Sequence, residues 1–372
     1  MTLHPIPVSV LTGFLGAGKT TLLNRLLKDP ALADTAVIIN EFGDVAIDHL
    51  LVESSSDGII QLADGCLCCT VRGELVDTLA DLVDRLQTGR IGKLKRVIVE
   101  TTGLADPAPV LQSIMGHPAL VQAYRLDGVI ALVDAVNGEA VLDAHVEAVK
   151  QVAVADRIVL AKTDLATDPP ALARLKERLG NLNPSAPILD AQAPEAGYAA
   201  LFDCGLYNPA TKSPDVRRWL GEEAAHARHH HGHEDRNVDH DHSHDHHRHD
   251  GRIRTFSLIH ERPVPFAAIE TFLDLLRSTQ GERLLRMKGV IELAEDPSRP
   301  LVVHAVQKLL HPPARLPSWP DDVRGTRLVL ITFDMPEDYV QRLFAAVTDT
   351  PSIDTPDRAA LENNPLAIAG RR

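Results

Sequence analysis

Aromatic side chains are scarce in this chain of 372 residues: Phe, Trp and Tyr together make up 4%. Any core must therefore be filled by Leu, Val, Ile and Ala, and a hydrophobic content of 44% is enough to build one. No run of about 18 apolar residues occurs, so no membrane-spanning helix is expected. Basic residues are outnumbered, with 38 Lys and Arg against 51 Asp and Glu, a net charge of −13. That balance repels nucleic-acid phosphate and anionic lipid, and neither is expected as a partner. Cysteine is limited to four residues, three of them within four positions. Such clustering is not a secreted disulfide framework; it points to a metal or redox site in a reducing compartment. The opening stretch MTLHPIPVSV has no basic segment followed by a long apolar run, so no cleaved signal is expected and the cytoplasm is the expected location.

What is present is strand–helix alternation. At roughly 150 residues per domain, the length allows two domains or three. Short β-branched runs fall at Pro7–Thr12, Ala36–Asn40, Arg96–Glu100, Gly128–Val133, Arg157–Ala161 and Ile188–Ala191, with amphipathic stretches between them. In Arg72–Gln87, Leu75, Val76, Leu79, Leu82, Val83 and Leu86 share one helical face. Continuous apolar strands alternating with helices read as an α/β fold with a mainly parallel sheet covered on both faces. This unit is expected over 1–206. From Tyr207 to Gly251 apolar runs stop and His, Asp and Arg dominate, the composition of a flexible linker. A smaller α+β unit is expected over 252–350. Its strands are Ile253–Ile259, Met287–Leu293, Leu301–Gln307 and Arg327–Phe333, and its helices are Pro265–Arg277 and Pro336–Val347, an order of split β-α-β, ferredoxin-like type. Residues 351–372 read as a loose tail.

Gly13-Phe14-Leu15-Gly16-Ala17-Gly18-Lys19-Thr20 fits G-x-x-x-x-G-K-[ST], follows a strand and precedes the helical pattern Thr21–Lys28. The glycines let the backbone wrap a phosphate chain, while amides of the loop and helix start, at Ala17 through Thr21, point at negative charge. Lys19 is expected on the β- and γ-phosphates and Thr20 on Mg²⁺. The apolar strand Val97–Glu100 ends in an acid suited to holding Mg²⁺ or its water, and the Gly103 amide could sense the γ-phosphate. Strand Arg157–Ala161 leads into Lys162-Thr163-Asp164, where a GTPase reads its base. Asp164 can accept from guanine N1 and N2, a donor pair that adenine lacks.

Cys66, Cys68 and Cys69 offer three soft thiolates to one zinc or copper(I) ion. A closed structural zinc site takes four ligands; three leave a position for water, an acid or a recipient protein, which suits delivery. A redox disulfide and plain burial are the competing readings. Cys204 stands apart and reads as a core residue. Glu41, in Ile39-Asn40-Glu41-Phe42-Gly43-Asp44 after the second strand, suits two roles, a Mg²⁺ contact or a fourth metal ligand. Eleven of the 18 histidines lie between His226 and His249, interleaved with aspartates. Such a run would capture several ions weakly. The isolated histidines, His304 among them, read as packing or surface residues.

The phosphate loop, Glu100-Thr101-Thr102-Gly103 and Gly65-Cys66-Leu67-Cys68-Cys69 together resemble the CobW family of P-loop GTPases, which includes zinc-regulated GTPase metalloprotein activators and YjiA-like metallochaperones. The resemblance spans about residues 5 to 348. It takes in Asn40–Gly43, Ile47-Asp48 and Leu284–Ile291. It implies a GTPase domain with a CobW C-terminal domain, GTP hydrolysis, and a metal on Cys66, Cys68 and Cys69 for transfer to a recipient metalloprotein. Zinc leads among metals; Co²⁺ for cobalamin synthesis or for a nitrile hydratase is the alternative. A nucleotide-linked homodimer is a further expected association. The chain departs from the family at Ala161, where many members carry Asn. The missing amide would have met guanine N7, so GTP preference with weaker affinity is implied. A non-catalytic metal buffer, resting on the His run alone, is the reading from another class.

Overall fold

The computed structural model describes residues 5–40, 60–62, 71–193, 196–202, 252–311, 313–319 and 322–348. The first unit runs β1 (Ile6–Gly13), α1 (Lys19–Leu26), β2 (Thr35–Asn40), β3 (Ile60–Leu62), α2 (Val71–Gln87), β4 (Arg96–Thr101), α3 (Ala108–Gly116), β5 (Tyr124–Asp134), α4 (Gly138–Ala144), α5 (Val146–Val154), β6 (Arg157–Ala161), α6 (Pro169–Leu182), β7 (Ile188–Asp190) and α7 (Tyr198–Leu201). The strands form a seven-stranded sheet in the order β3-β2-β4-β1-β5-β6-β7, every pair parallel.

Strand periodicity divides the core between the two faces of this sheet. Val8, Val10, Val97, Val99, Val129, Ala131, Ile158 and Leu160 pack on one side with α2, α3 and α5. Leu11, Ile98, Ile130, Leu132 and Val159 pack on the other with α1 and α7. Burial on both faces is why these strands read as unbroken apolar runs. Strand β3 was not anticipated: three residues carry too little pattern to register. Helix α6 begins where Asp168 accepts from the Ala171 amide and Pro169 takes the first turn.

The second unit runs β8 (Ile253–His260), α8 (Phe266–Gln280), β9 (Leu284–Leu293), β10 (Asp296–Val306), β11 (Leu309–Leu310), β12 (Ala314–Arg315), β13 (Thr326–Phe333) and α9 (Glu337–Val347). Its antiparallel sheet has the order β11-β10-β9-β13-β8, with β12 pairing on β10. Strands β8 and β9, joined through α8, flank β13, so the split β-α-β arrangement is present. Phe272, Leu276, Met287, Leu328, Leu330 and Phe344 form the core beneath α8 and α9.

The opposite face of that sheet lies on the first unit: Ile253, Leu285, Val306 and Ile331 join the core that contains α5 and α6. Strand β9 is therefore buried throughout, and it starts three residues before the expected Met287. The charges of Arg286 and Lys288 hide that start in the sequence. They are tolerated because both meet Asp156, which lies just past α5. Among the described residues no helix is long and apolar enough to cross a membrane.

Candidate nucleotide site

All strands of the first sheet end on one edge, and the phosphate loop leaves β1 there. Gly13, Gly16 and Gly18 have φ of 145°, 72° and 96°. Gly13 is constrained twice, because a Cβ would also sit 2.6 Å from the Leu132 carbonyl oxygen. Gly18 occupies the N-cap of α1 and has no side chain to cap it. The first amides of α1 are thus left for an anion. Lys19 Nζ folds over the loop and donates to the carbonyls of Gly13 at 2.9 Å and Phe14 at 3.4 Å.

Parallel pairing sets Leu11 beside Glu100, one strand away. Glu100 is buried, and Thr20 Oγ1 donates to its Oε1 at 3.3 Å. A hydroxyl and a carboxylate are hard oxygen donors of the kind Mg²⁺ takes, so the pair fits that ion. Below them Thr101 Oγ1 donates to Thr12 Oγ1 at 2.8 Å, locking β4 to β1. Gly103 follows β4 and packs against the loop tip: a Cβ there would lie 2.5 Å from the Leu15 amide nitrogen. The structure thus brings Gly13, Gly16, Ala17, Gly18, Lys19, Thr20, Thr21, Glu100 and Gly103 to one place.

On the other flank, Lys162 has φ of 60° and its Nζ donates to Asp134 Oδ2 at 2.7 Å. Burial opposes ionisation of Asp134. Hydrogen bonds from Lys162, from the amides of Val136 and Asn137 and from the Asn137 side chain outweigh it and hold the carboxyl below its ordinary range. Asp164 is exposed, and its Oδ1 accepts from Gln192 Nε2 at 3.0 Å. Thr163 Oγ1 donates to Asp190 Oδ1 at 2.7 Å, tying this loop to the end of β7. Ala161 is buried and faces Gly18.

Sequence reasoning missed Asp134, Gln192 and Gln151. Asp134 had a visible signal, an acid closing an apolar strand as Glu100 does. The other two are brought in by tertiary contacts and had none. Glu41, Cys66, Cys68, Cys69, Cys204 and the histidines from His226 to His249 lie outside the described residues. Among the described residues, no cluster of three or more His, Cys, Asp or Glu side chains is placed to hold a metal.

A loop wrapped for a phosphate chain at the head of a parallel sheet, with a lysine folded over it and a buried carboxylate one strand away, defines a P-loop nucleotide hydrolase. Comparison with known proteins narrows the class. The CobW/HypB/UreG nucleotide-binding domain matches residues 7–190, and the cobalamin synthesis protein cobW C-terminal domain matches 253–348. The chain belongs to the CobW/HypB/UreG family and is a P-loop GTPase. It is 34% identical to the zinc chaperone YjiA of Escherichia coli over 93% of this chain and 99% of that protein. It is 30% identical to the zinc chaperone CobW of a Sinorhizobium species over 92% and 97%. The crystal structure of Zn(II)-bound YjiA GTPase from E. coli superposes with a TM-score of 0.64 at 29% identity, covering 93% of this chain and 99% of that one. A YjiA triple mutant, with a glutamate and two cysteines replaced by alanine, is likewise Zn(II)-bound and gives a TM-score of 0.65 at 30% identity over the same coverage.

Proposed function

We propose that this GTPase is a metallochaperone that carries a transition metal on Cys66, Cys68 and Cys69 and delivers it to a recipient metalloprotein. Zinc is the first choice of cargo, in keeping with relatives named zinc chaperones. The observation that carries the reading is topological. Strand β3 ends at Leu62 on the sheet edge that bears the phosphate loop, and α2 starts at Val71. The residues joining them in sequence contain all three thiols. In this reading cargo and nucleotide share one edge of one sheet.

In the proposed hydrolytic cycle, the loop amides and Lys19 hold the β- and γ-phosphates, and the Gly103 amide meets the γ-phosphate. Thr20 and Glu100 would hold Mg²⁺, which supplies charge neutralisation at the phosphates. Asp164, oriented by Gln192, reads guanine N1 and N2. Lys162, braced by Asp134, flanks the base. Exposed Leu15, Leu104, Val136 and Leu165 surround this edge, an apolar rim that supports a nucleotide-linked homodimer.

Replacing Cys66, Cys68 and Cys69 together by Ser tests the assignment. The tight zinc site should disappear while GTP hydrolysis persists; unchanged zinc affinity would sink the cysteine site. Zinc in the YjiA mutant lacking two cysteines gives weight to a second reading, in which other groups also hold metal. Here the His226–His249 run would serve as a capture arm. Deleting 228–249 should then lower the number of weakly held ions and leave the tight site.

A further inference from the structure

Helix α5 touches three separate parts of the molecule. At its head, the His145 ring stacks on Phe14 of the phosphate loop with centroids 4.3 Å apart. Along its length, Gln151 is 1% exposed, and its Nε2 donates to the carbonyls of Gly103 at 3.2 Å and Ala105 at 3.0 Å. Lys150 Nζ pairs with Asp106 at 3.1 Å, one residue further along the same loop, and lies 5.8 Å from the Phe333 ring of β13. At its tail, the Val154 carbonyl accepts from Arg286 of β9, and Asp156 takes both Arg286 and Lys288. Asn183 Nδ2 donates to the carbonyls of Val152, Ala153 and Ala155, so the tail is held as a unit.

These contacts constrain how the parts can move. A γ-phosphate that draws the Gly103 amide toward it also displaces the Gly103 and Ala105 carbonyls. Gln151 is buried and cannot exchange them for water, so losing them leaves an unsatisfied amide. Following them is the favourable course. A nine-residue helix moves as a rigid body, and its far end is bound to a buried guanidinium whose separation from Asp156 is strongly unfavourable. A cavity of about 290 Å³ between the phosphate loop and α4–α5, lined in part by Phe14, Val141, Ala148 and Gln151, leaves room for the shift.

We propose that α5 relays nucleotide state from the Gly103 loop to the C-terminal sheet, with Gln151 as the positioning residue that sets the loop and Arg286 as the receiving contact. The inference rests on the reading that Gly103 senses the γ-phosphate, and the experiment separates the two. Hydrogen–deuterium exchange of the full chain with Mg²⁺ is compared between GDP and a non-hydrolysable GTP analogue, alongside GTP turnover. In the native chain, segments 101–107 and 284–291 should both change protection with nucleotide. Gln151→Leu should lower kcat about tenfold with KM within about twofold. It should also abolish the nucleotide response of 284–291. If that variant does not fold, Lys150→Met, at a half-buried position, should weaken the same response. A native response at 101–107 without one at 284–291 overturns the relay, as does a native-like response at 284–291 in the variant that is tested. No response at 101–107 overturns the sensor reading, and the relay falls with it.

Discussion

At Gly13, two independent constraints meet in one residue. Its φ lies where an L side chain is strained, and the Leu132 carbonyl already occupies the space a Cβ would need. Gly13→Ala should destabilise the fold by about 2 kcal/mol or more, read from denaturant midpoints, and should distort the phosphate loop. A wild-type midpoint would mean that β1 and β5 shift apart readily. Asp164 carries a sharper chemical prediction. Its carboxylate is fixed by Gln192 at the mouth of the proposed base site. Asp164→Ala should reduce the preference for GTP over ATP about 100-fold in competition binding, because the guanine donors lose their acceptor. An unchanged preference would assign base reading to another group. Legibility also divides at this scale. The phosphate loop and Glu100 were readable because consecutive residues carry the whole pattern. Gln192 and Gln151 act across 28 and 48 residues of sequence, and no local pattern marks such a partner.

Among elements, β9 shows the clearest departure from simple patterning. Two cations in a strand ordinarily mark a solvent face, yet Arg286 and Lys288 are buried against Asp156. This strand lies between α8–α9 and the first unit, so both faces are covered and the seam holds its charges in a network. Burial drives the His304 pKa well below its ordinary value, and Arg286 and Lys288 add to this against the pull of Asp156, with His311 also lowering it. The unfolded chain binds a proton at this histidine below about pH 6.5 and the folded chain does not, so stability falls as pH drops from 7 toward 5. His304→Leu should flatten that slope in urea midpoints measured at pH 7.5, 6.5 and 5.5; an unchanged slope would place the titration elsewhere. Asp156 acts in a different window. Burial opposes its ionisation, but Arg286, Lys288, His304 and the Val129 amide hold it ionised far below its ordinary range, so its contribution is lost only in strong acid. Lys288, pushed down to about 8 by burial and by Arg286, works in the opposite range: stability rises as pH climbs from about 8 to 10.5. The α/β alternation and the order of the second unit were legible from period alone. The extra length of β9 and the seam were not, because their charges find partners only when the two units meet.

For the whole molecule, the proposed function joins two activities on one sheet edge. The proposed nucleotide site draws on the ends of β1, β4 and β6, and the proposed cargo thiols lie in the sequence between β3 and α2. Sites that share a domain can be coupled, and coupling of binding free energies is reciprocal. The proposed metal motif rests on sequence alone, as three clustered thiols that lie outside the described residues. The most direct test is a zinc titration of the purified apoprotein against a competing chelator, with GTP–Mg²⁺, GDP, ATP–Mg²⁺ or no nucleotide present. The account predicts a single tight site whose Kd shifts about tenfold or more with GTP and not with ATP, equivalent to about 1.4 kcal/mol of coupling. Identical zinc affinity under all four conditions would contradict it and leave a GTPase whose metal is independent of its nucleotide.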